Sequence, residues 1–235
     1  MKDKGDNKDY VIRFSLADRI AHIILFITLI MLMISGLSLS YYNSGFGRFI
    51  IGLEGGYSNR GLLHIVFAVL LMVISVYHIL YLIFSEKGQQ EICNIKYRAQ
   101  DFKNFIISLK YNFGISKEKP QFGKYNLSQK FQYWGVIFGS LLMIITGMVL
   151  LLKVKGVGMI VPKWLWDITN VVHSNEGLLI FLVLFVWHIY DVHLSPGVFP
   201  MSKVWLNGKM SKEDLKKDHV LEYDKLFGKE KNEAK

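Results

Sequence analysis

Residues 62–84 read LLHIVFAVLLMVISVYHILYLIF, a run without a Lys, Arg, Asp or Glu and with a histidine toward each end. The hydrocarbon core of a bilayer is about 30 Å thick and needs roughly 20 apolar helical residues to cross it, so the run is long enough to span. Its histidines, His64 and His78, are 14 residues apart, a rise of about 21 Å along a helix. An ionisable side chain in hydrocarbon is costly and normally faces the interior of a bundle with a partner. The stretch therefore reads as a transmembrane helix with one buried polar position at each membrane level.

Three further runs, at about 20–39, 131–152 and 168–189, are free of Lys, Arg, Asp and Glu or nearly so, Glu176 being the exception. Nearly all the charge lies between them. Lys and Arg number five before Ile20, two between the first and second runs, nine between the second and third, three between the third and fourth, and nine after the fourth. That alternation follows the positive-inside rule for a chain with both termini in the cytoplasm. The expected architecture is an all-α membrane protein, a four-helix bundle. Residues 1–19 form a cytoplasmic tail, 20–195 the membrane domain and 196–235 a second cytoplasmic tail. The net charge of +9 is explained by topology and by contact with anionic lipid headgroups, so no nucleic-acid role is expected. Residues 1–40 could imitate a signal peptide, but the apolar run is too long and lacks an A-x-A-like site, so it reads as a retained helix.

The connections carry less information. A Gly-rich loop follows the first span. After the second span comes a cytoplasmic connection in which 101–113 places Phe102, Phe105, Ile106 and Leu109 at helical spacing, as in a helix lying on the membrane surface. A loop with Pro162, Trp164 and Trp166 suits the external headgroup zone. Pro196 and Pro200 end the fourth span, and order is not expected beyond Phe227. Cys93 is the only cysteine and C-x-x-C-H is absent, which excludes a disulfide framework, a Cys-based metal site and covalently attached haem. Span one also echoes span three: Arg19 aligns with Lys130, and Ser35-Gly36 with Thr146-Gly147. YHILY of span two echoes WHIYD of span four, as in a duplicated helical hairpin.

Six of the seven histidines (His22, His64, His78, His173, His188 and His193) lie in or at the ends of spans. Spans two and four both run from outside to inside. His64 and His173 therefore share an outer level, while His78 and His188 share an inner one that also contains His22. Two layers of facing imidazoles are what two six-coordinate haems require. A zinc site needs three or four ligands at about 2 Å from one ion, which histidines some 20 Å apart along a helix cannot provide. Gly36 and Gly147 at the outer level, with Gly135 near the inner one, would allow close approach to a porphyrin. The 15-residue spacing of His173 and His188 turns His188 about 60° from His173, against about −40° on span two. A π-bulge would absorb the extra residue, and so would a different ring orientation.

RIAH at the head of span one, the [S/T]-G near its far end, the histidine opening span two and the two histidines of span four resemble the cytochrome b subunits of bacterial formate dehydrogenases and nickel–iron hydrogenases, a b561-type superfamily. GKYNLSQKFQYWG and WHIYDVHLSPGVFPMSKVWLNGK are similar to related membrane cytochromes b that accompany multihaem c-type cytochromes. The resemblance covers roughly residues 10 to 225. It implies two non-covalent haem b groups, His64 and His173 ligating the outer and His22 and His188 the inner, in a bacterial inner-membrane subunit. Such a subunit passes electrons between quinone or menaquinone and a redox partner, an iron–sulfur protein or a multihaem c-type cytochrome, and is not an enzyme by itself. Hydrogenase-type members carry Arg at the position of His78, and the hairpin echo would instead pair His78 with His188, leaving His78 as the alternative inner ligand.

Among the remaining groups, His193 reads as interfacial with a propionate contact as its functional alternative, and His219 as a solvated tail residue. Glu176 tunes His173, or handles protons near the outer haem, or is solvated at the bilayer edge. Arg13 and Arg19 are explained by topology, with inner-haem propionates as alternative partners. Two rival functions use the same histidines: a haem-free membrane anchor, with the imidazoles as interhelical glue, and a proton-coupled transporter, with them as a relay.

Overall fold

In lipid every backbone amide must find its partner within the protein, and an apolar segment does so by closing its own helix. The computed structural model, which describes residues 9–154, 162–195 and 198–228, contains four helices long and apolar enough to cross a membrane: Leu16–Ser40, Tyr57–Phe84, Leu127–Leu152 and Lys163–Leu194. They are α1 (Leu16–Ser40), α3 (Tyr57–Phe84), α6 (Leu127–Val154) and α7 (Lys163–Phe181), the last continued by π-helical turns at Leu182–His188 and Tyr190–Leu194. Each begins several residues earlier than its apolar run. Hydropathy marks only the hydrocarbon-embedded part, whereas polar end turns continue the same hydrogen-bond ladder. Trp164 and Trp166 therefore lie in the first turn of α7, not in a loop.

The Gly-rich connection after α1 holds a further helix, α2 (Gly45–Leu53), whose first turn is capped by Ser44 Oγ accepting from Gly47 N at 2.9 Å. Gly47 must lack a side chain there, since a Cβ would fall 2.1 Å from the Tyr41 carbonyl oxygen. Apolar side chains on the spans, among them Val73, Phe138 and Val186, are more than half exposed and present the surface that lipid tails solvate.

By packing, the chain forms two compact units. One comprises Ile20–Leu80 and Gly135–Ser202 and holds the histidine layers. The other gathers Met1–Arg19, Tyr81–Trp134 and Lys203–Lys235. In this second unit β1 (Tyr10–Ile12) pairs antiparallel with β2 (Lys209–Ser211), Val11 facing Met210. The same unit contains α4 (Glu86–Ile95), α5 (Ala99–Asn112), α8 (Val204–Asn207), α9 (Lys212–Asp218) and α10 (Val220–Phe227). Leu215 is fully buried, and Lys130 is held by Asp101 Oδ2 at 2.7 Å and the Lys96 carbonyl at 3.1 Å. The N- and C-terminal segments, read from sequence as separate tails, thus fold together. Pro196, and the tail beyond Gly228, fall outside the described residues.

Candidate functional site

At one level, His64 of α3 and His173 of α7 face each other with ring centroids 6.3 Å apart. Each ring is held by a hydroxyl from the neighbouring span. Ser35 Oγ lies 2.8 Å from His64 Nδ1, and Thr146 Oγ1 lies 2.8 Å from His173 Nδ1. Both hydroxyls are buried, and the glycine after each makes room for the imidazole. A Cβ on Gly36 would sit 3.5 Å from His64 Cε1, and one on Gly147 would sit 3.3 Å from His173 Cε1. The Ser-Gly and Thr-Gly pairs that align in the two hairpins therefore do the same job: the hydroxyl holds the histidine, and the glycine gives its ring space. Arg60, one turn before His64, donates to the Ser35 carbonyl at 2.6 Å and ties α3 to α1.

At the other level, the rings of His22 on α1 and His188 face each other with centroids 6.5 Å apart. His188 closes the π-helical stretch Leu182–His188. A π-turn accommodates one extra residue within a helix. His188 therefore projects as the fourteenth residue after His173 rather than the fifteenth. That restores about −40°, the angle between His64 and His78 on α3.

The two separations decide what can sit between the rings. Metal–imidazole bonds of about 2.0–2.1 Å, with just over 1 Å from each nitrogen to its ring centre, put the centroids of two axial histidines roughly 6.4 Å apart. Both pairs fit that span. Among the described residues no three His, Cys, Asp or Glu converge on one point, so the donors come as facing pairs, one per level. A family model for prokaryotic cytochrome b561 matches residues 13–196. The chain belongs to the prokaryotic cytochrome b561 family. Among curated proteins, none matches the chain. This cytochrome b is accordingly a multi-pass membrane protein that binds haem b and transfers electrons.

The other residues singled out in the sequence are placed as follows. His78 lies half-buried on α3, and His193 half-buried in the second π-helical stretch. Glu176 Oε1 turns toward α6, 3.0 Å from where a Cβ of Gly139 would be, so its carboxylate points into the α6–α7 hairpin rather than to the bilayer edge. Gly135 has open space beside it. Arg13 is engaged within the second unit by the Lys124 carbonyl and by Glu222 Oε2 at 3.5 Å, and Arg19 by the Leu206 carbonyl. His219 is a correction to the sequence reading. It is 8% exposed and donates from Nδ1 to the Gly123 carbonyl at 2.6 Å. Burial, reinforced by the Arg13 guanidinium, pulls its pKa down to about 4. A charged sequence neighbourhood gave no sign of this, because the burying partners lie near residues 13 and 123.

Ser35 and Thr146 are the functional residues that sequence reasoning noticed without a role. Their alignment between hairpins was the signal, but an offset of 111 residues does not say which histidine a hydroxyl will meet.

Proposed function

We propose that this cytochrome b is a dihaem electron conduit, with one haem b between His64 and His173 and a second between His22 and His188. The facing of these rings at 6.3 Å and 6.5 Å, at two levels of one helical unit, carries the reading. When bound, the haem iron supplies one-electron Fe(III)/Fe(II) chemistry. The chain would supply the imidazoles of His64, His173, His22 and His188 to hold the iron, and the Ser35 and Thr146 hydroxyls would orient His64 and His173. His78, on the same helix as His64, is the alternative inner ligand, and the pairing of His22 with His188 favours His22.

Electrons would pass between quinone or menaquinone and a redox partner subunit, an iron–sulfur protein or a multihaem c-type cytochrome, in a bacterial inner membrane. Both termini would be cytoplasmic, and the membrane domain would be 20–195, flanked by cytoplasmic segments 1–19 and 196–235. Two observations support this orientation. The N-terminal strand, the 81–134 connection and the C-terminal segment fold into one unit, and the basic residues concentrate in those same segments. Phe102, Phe105 and Ile106 of α5 are exposed, which suits a helix resting in the headgroup layer.

The test is a dithionite-reduced minus oxidised spectrum of the purified full chain with haem counted per polypeptide. The expected result is a b-type α band with two haems, falling to one in His64→Ala or His173→Ala and to one in His22→Ala or His188→Ala. Absence of haem after expression with ample supply would overturn the conduit and leave an anchor or a proton relay.

A further inference from the structure

Ser35 Oγ and Thr146 Oγ1 each have a single proton and two competing uses for it. Ser35 Oγ lies 2.7 Å from the Met31 carbonyl one turn back, and Thr146 Oγ1 lies 2.7 Å from the Leu142 carbonyl in the same relation. Each also lies 2.8 Å from a histidine Nδ1. If the hydroxyl gave its proton to Nδ1, the second bond to the carbonyl would be lost. The imidazole proton would then sit on Nε2, facing the opposite histidine. If the hydroxyl donates to the carbonyl, a lone pair remains to accept Nδ1–H, and both short contacts are hydrogen bonds. In a span that excludes water, the arrangement with more satisfied groups is the stable one, since an unmet polar group costs about 1–3 kcal/mol.

We infer that Ser35 and Thr146 are positioning residues that accept Nδ1–H of His64 and His173 and thereby fix Nε2 of both rings as the metal-facing nitrogen. This rests on the proposed ligation of the outer haem. Metal-bound histidines use their second nitrogen in this way, and the acceptor sets both tautomer and ring orientation. The choice of acceptor matters. A carboxylate would draw the Nδ1 proton strongly and push electron density onto the ligand. A neutral hydroxyl already donating to a carbonyl draws weakly, so His64 and His173 remain neutral imidazoles. The arrangement occurs twice, on independent hairpins, with the same donor, the same acceptor and the same i−4 carbonyl. On the α1 side it is further braced, because the Ser35 carbonyl also accepts from Arg60 at 2.6 Å. The outer site is thus held symmetrically from both sides.

The experiment compares Ser35→Ala and Thr146→Ala with the hydroxyl-keeping swaps Ser35→Thr and Thr146→Ser, all in the full chain, with His64→Ala and His173→Ala as ligand controls. Three quantities are read: haem per chain after dilution, the low-spin electron paramagnetic resonance g values, and the two midpoint potentials. In each alanine variant, one haem is expected to be retained 10–100-fold less tightly. Its g values should shift, and its midpoint should move positive as electron donation by the ligand falls. The second haem should be unaffected, and the swaps should restore the wild-type values. Unchanged g values and midpoints in both alanine variants, with one haem lost in the ligand controls, would overturn the positioning role while leaving the ligation intact. Alanine effects that the swaps fail to reverse would also overturn it, because the hydroxyl would not be the cause. Retention of both haems in the ligand controls would instead overturn the ligation itself, and the inference with it.

Discussion

Deleting Val183 is expected to leave the inner haem in place, whereas inserting one alanine between Phe185 and Val186 should remove it. His188 closes the π-helical stretch Leu182–His188. It carries one residue more than an α-helix of the same length, so removing a residue returns it to ordinary α-geometry. His188 then follows His173 by 14 residues instead of 15, and its angle about the helix stays near −40°. An insertion has no surplus to remove. It turns His188 by about 100°, and at a side-chain radius of about 5–6 Å the imidazole swings roughly 8–9 Å from its place. Metal–ligand bonds tolerate departures of only about 0.2 Å, so the inner pair is broken. Leu182, Phe185 and Val186 are apolar and exposed, so the deletion costs little packing at these positions. The assay is haem per chain with α-band resolution of the two sites. The expected ratios are two for the deletion and one for the insertion. A deletion that loses the inner haem as completely as the insertion would refute the claim that the π-turn exists to hold His188 in register.

Other outcomes follow from the same structure. His22→Ala should lose the inner haem and His78→Ala retain it; the reverse pattern in haem counts would exchange their roles. Gly147→Leu puts a branched side chain where even a Cβ lies 3.3 Å from His173 Cε1, so the outer haem should be lost or its g values strongly altered; a wild-type spectrum would contradict the packing described. His219 supplies a pH dependence outside the membrane. Its folded-state pKa, near 4, lies below the ordinary 6.5, so its contribution is complete above pH 6.5 and is lost as pH falls toward 4. The shift corresponds to roughly 3 kcal/mol, read as increasing proteolytic cleavage of the C-terminal segment across that window. His219→Asn should flatten the profile, and an unchanged profile would show that another group controls it.

The four spans were legible because membrane insertion imposes one rule on every residue of a helix, and 62–84 obeys it without a single Lys, Arg, Asp or Glu. The histidine levels were legible for a related reason: helical rise converts sequence spacing directly into depth. Which rings face one another was less so. The pairing of His22 with His188, rather than of His78 with His188, depends on how α1 and α7 are rotated, and rotation is fixed by packing that no single helix encodes. Sequence spacing left a choice between a π-bulge and a turned ring, and the backbone takes the π form. The second unit was almost invisible. Arg13 reaches the Lys124 carbonyl across 111 residues and His219 reaches the Gly123 carbonyl across 96, and strands of three residues leave no periodicity to read.

The pairing of β1 with β2 has a consequence for biogenesis. Tyr10 meets Ser211, so the first strand must wait for about two hundred further residues before it finds its partner. At about 5–20 residues per second, two hundred residues take roughly 10–40 s to synthesise. The four spans all precede β2 in the chain. Closure of this small sheet is therefore a late event, and an open one exposes the Tyr10–Ile12 edge to cellular proteases. Chains that stall during insertion would carry that edge uncovered, and their removal would need no information beyond the missing strand.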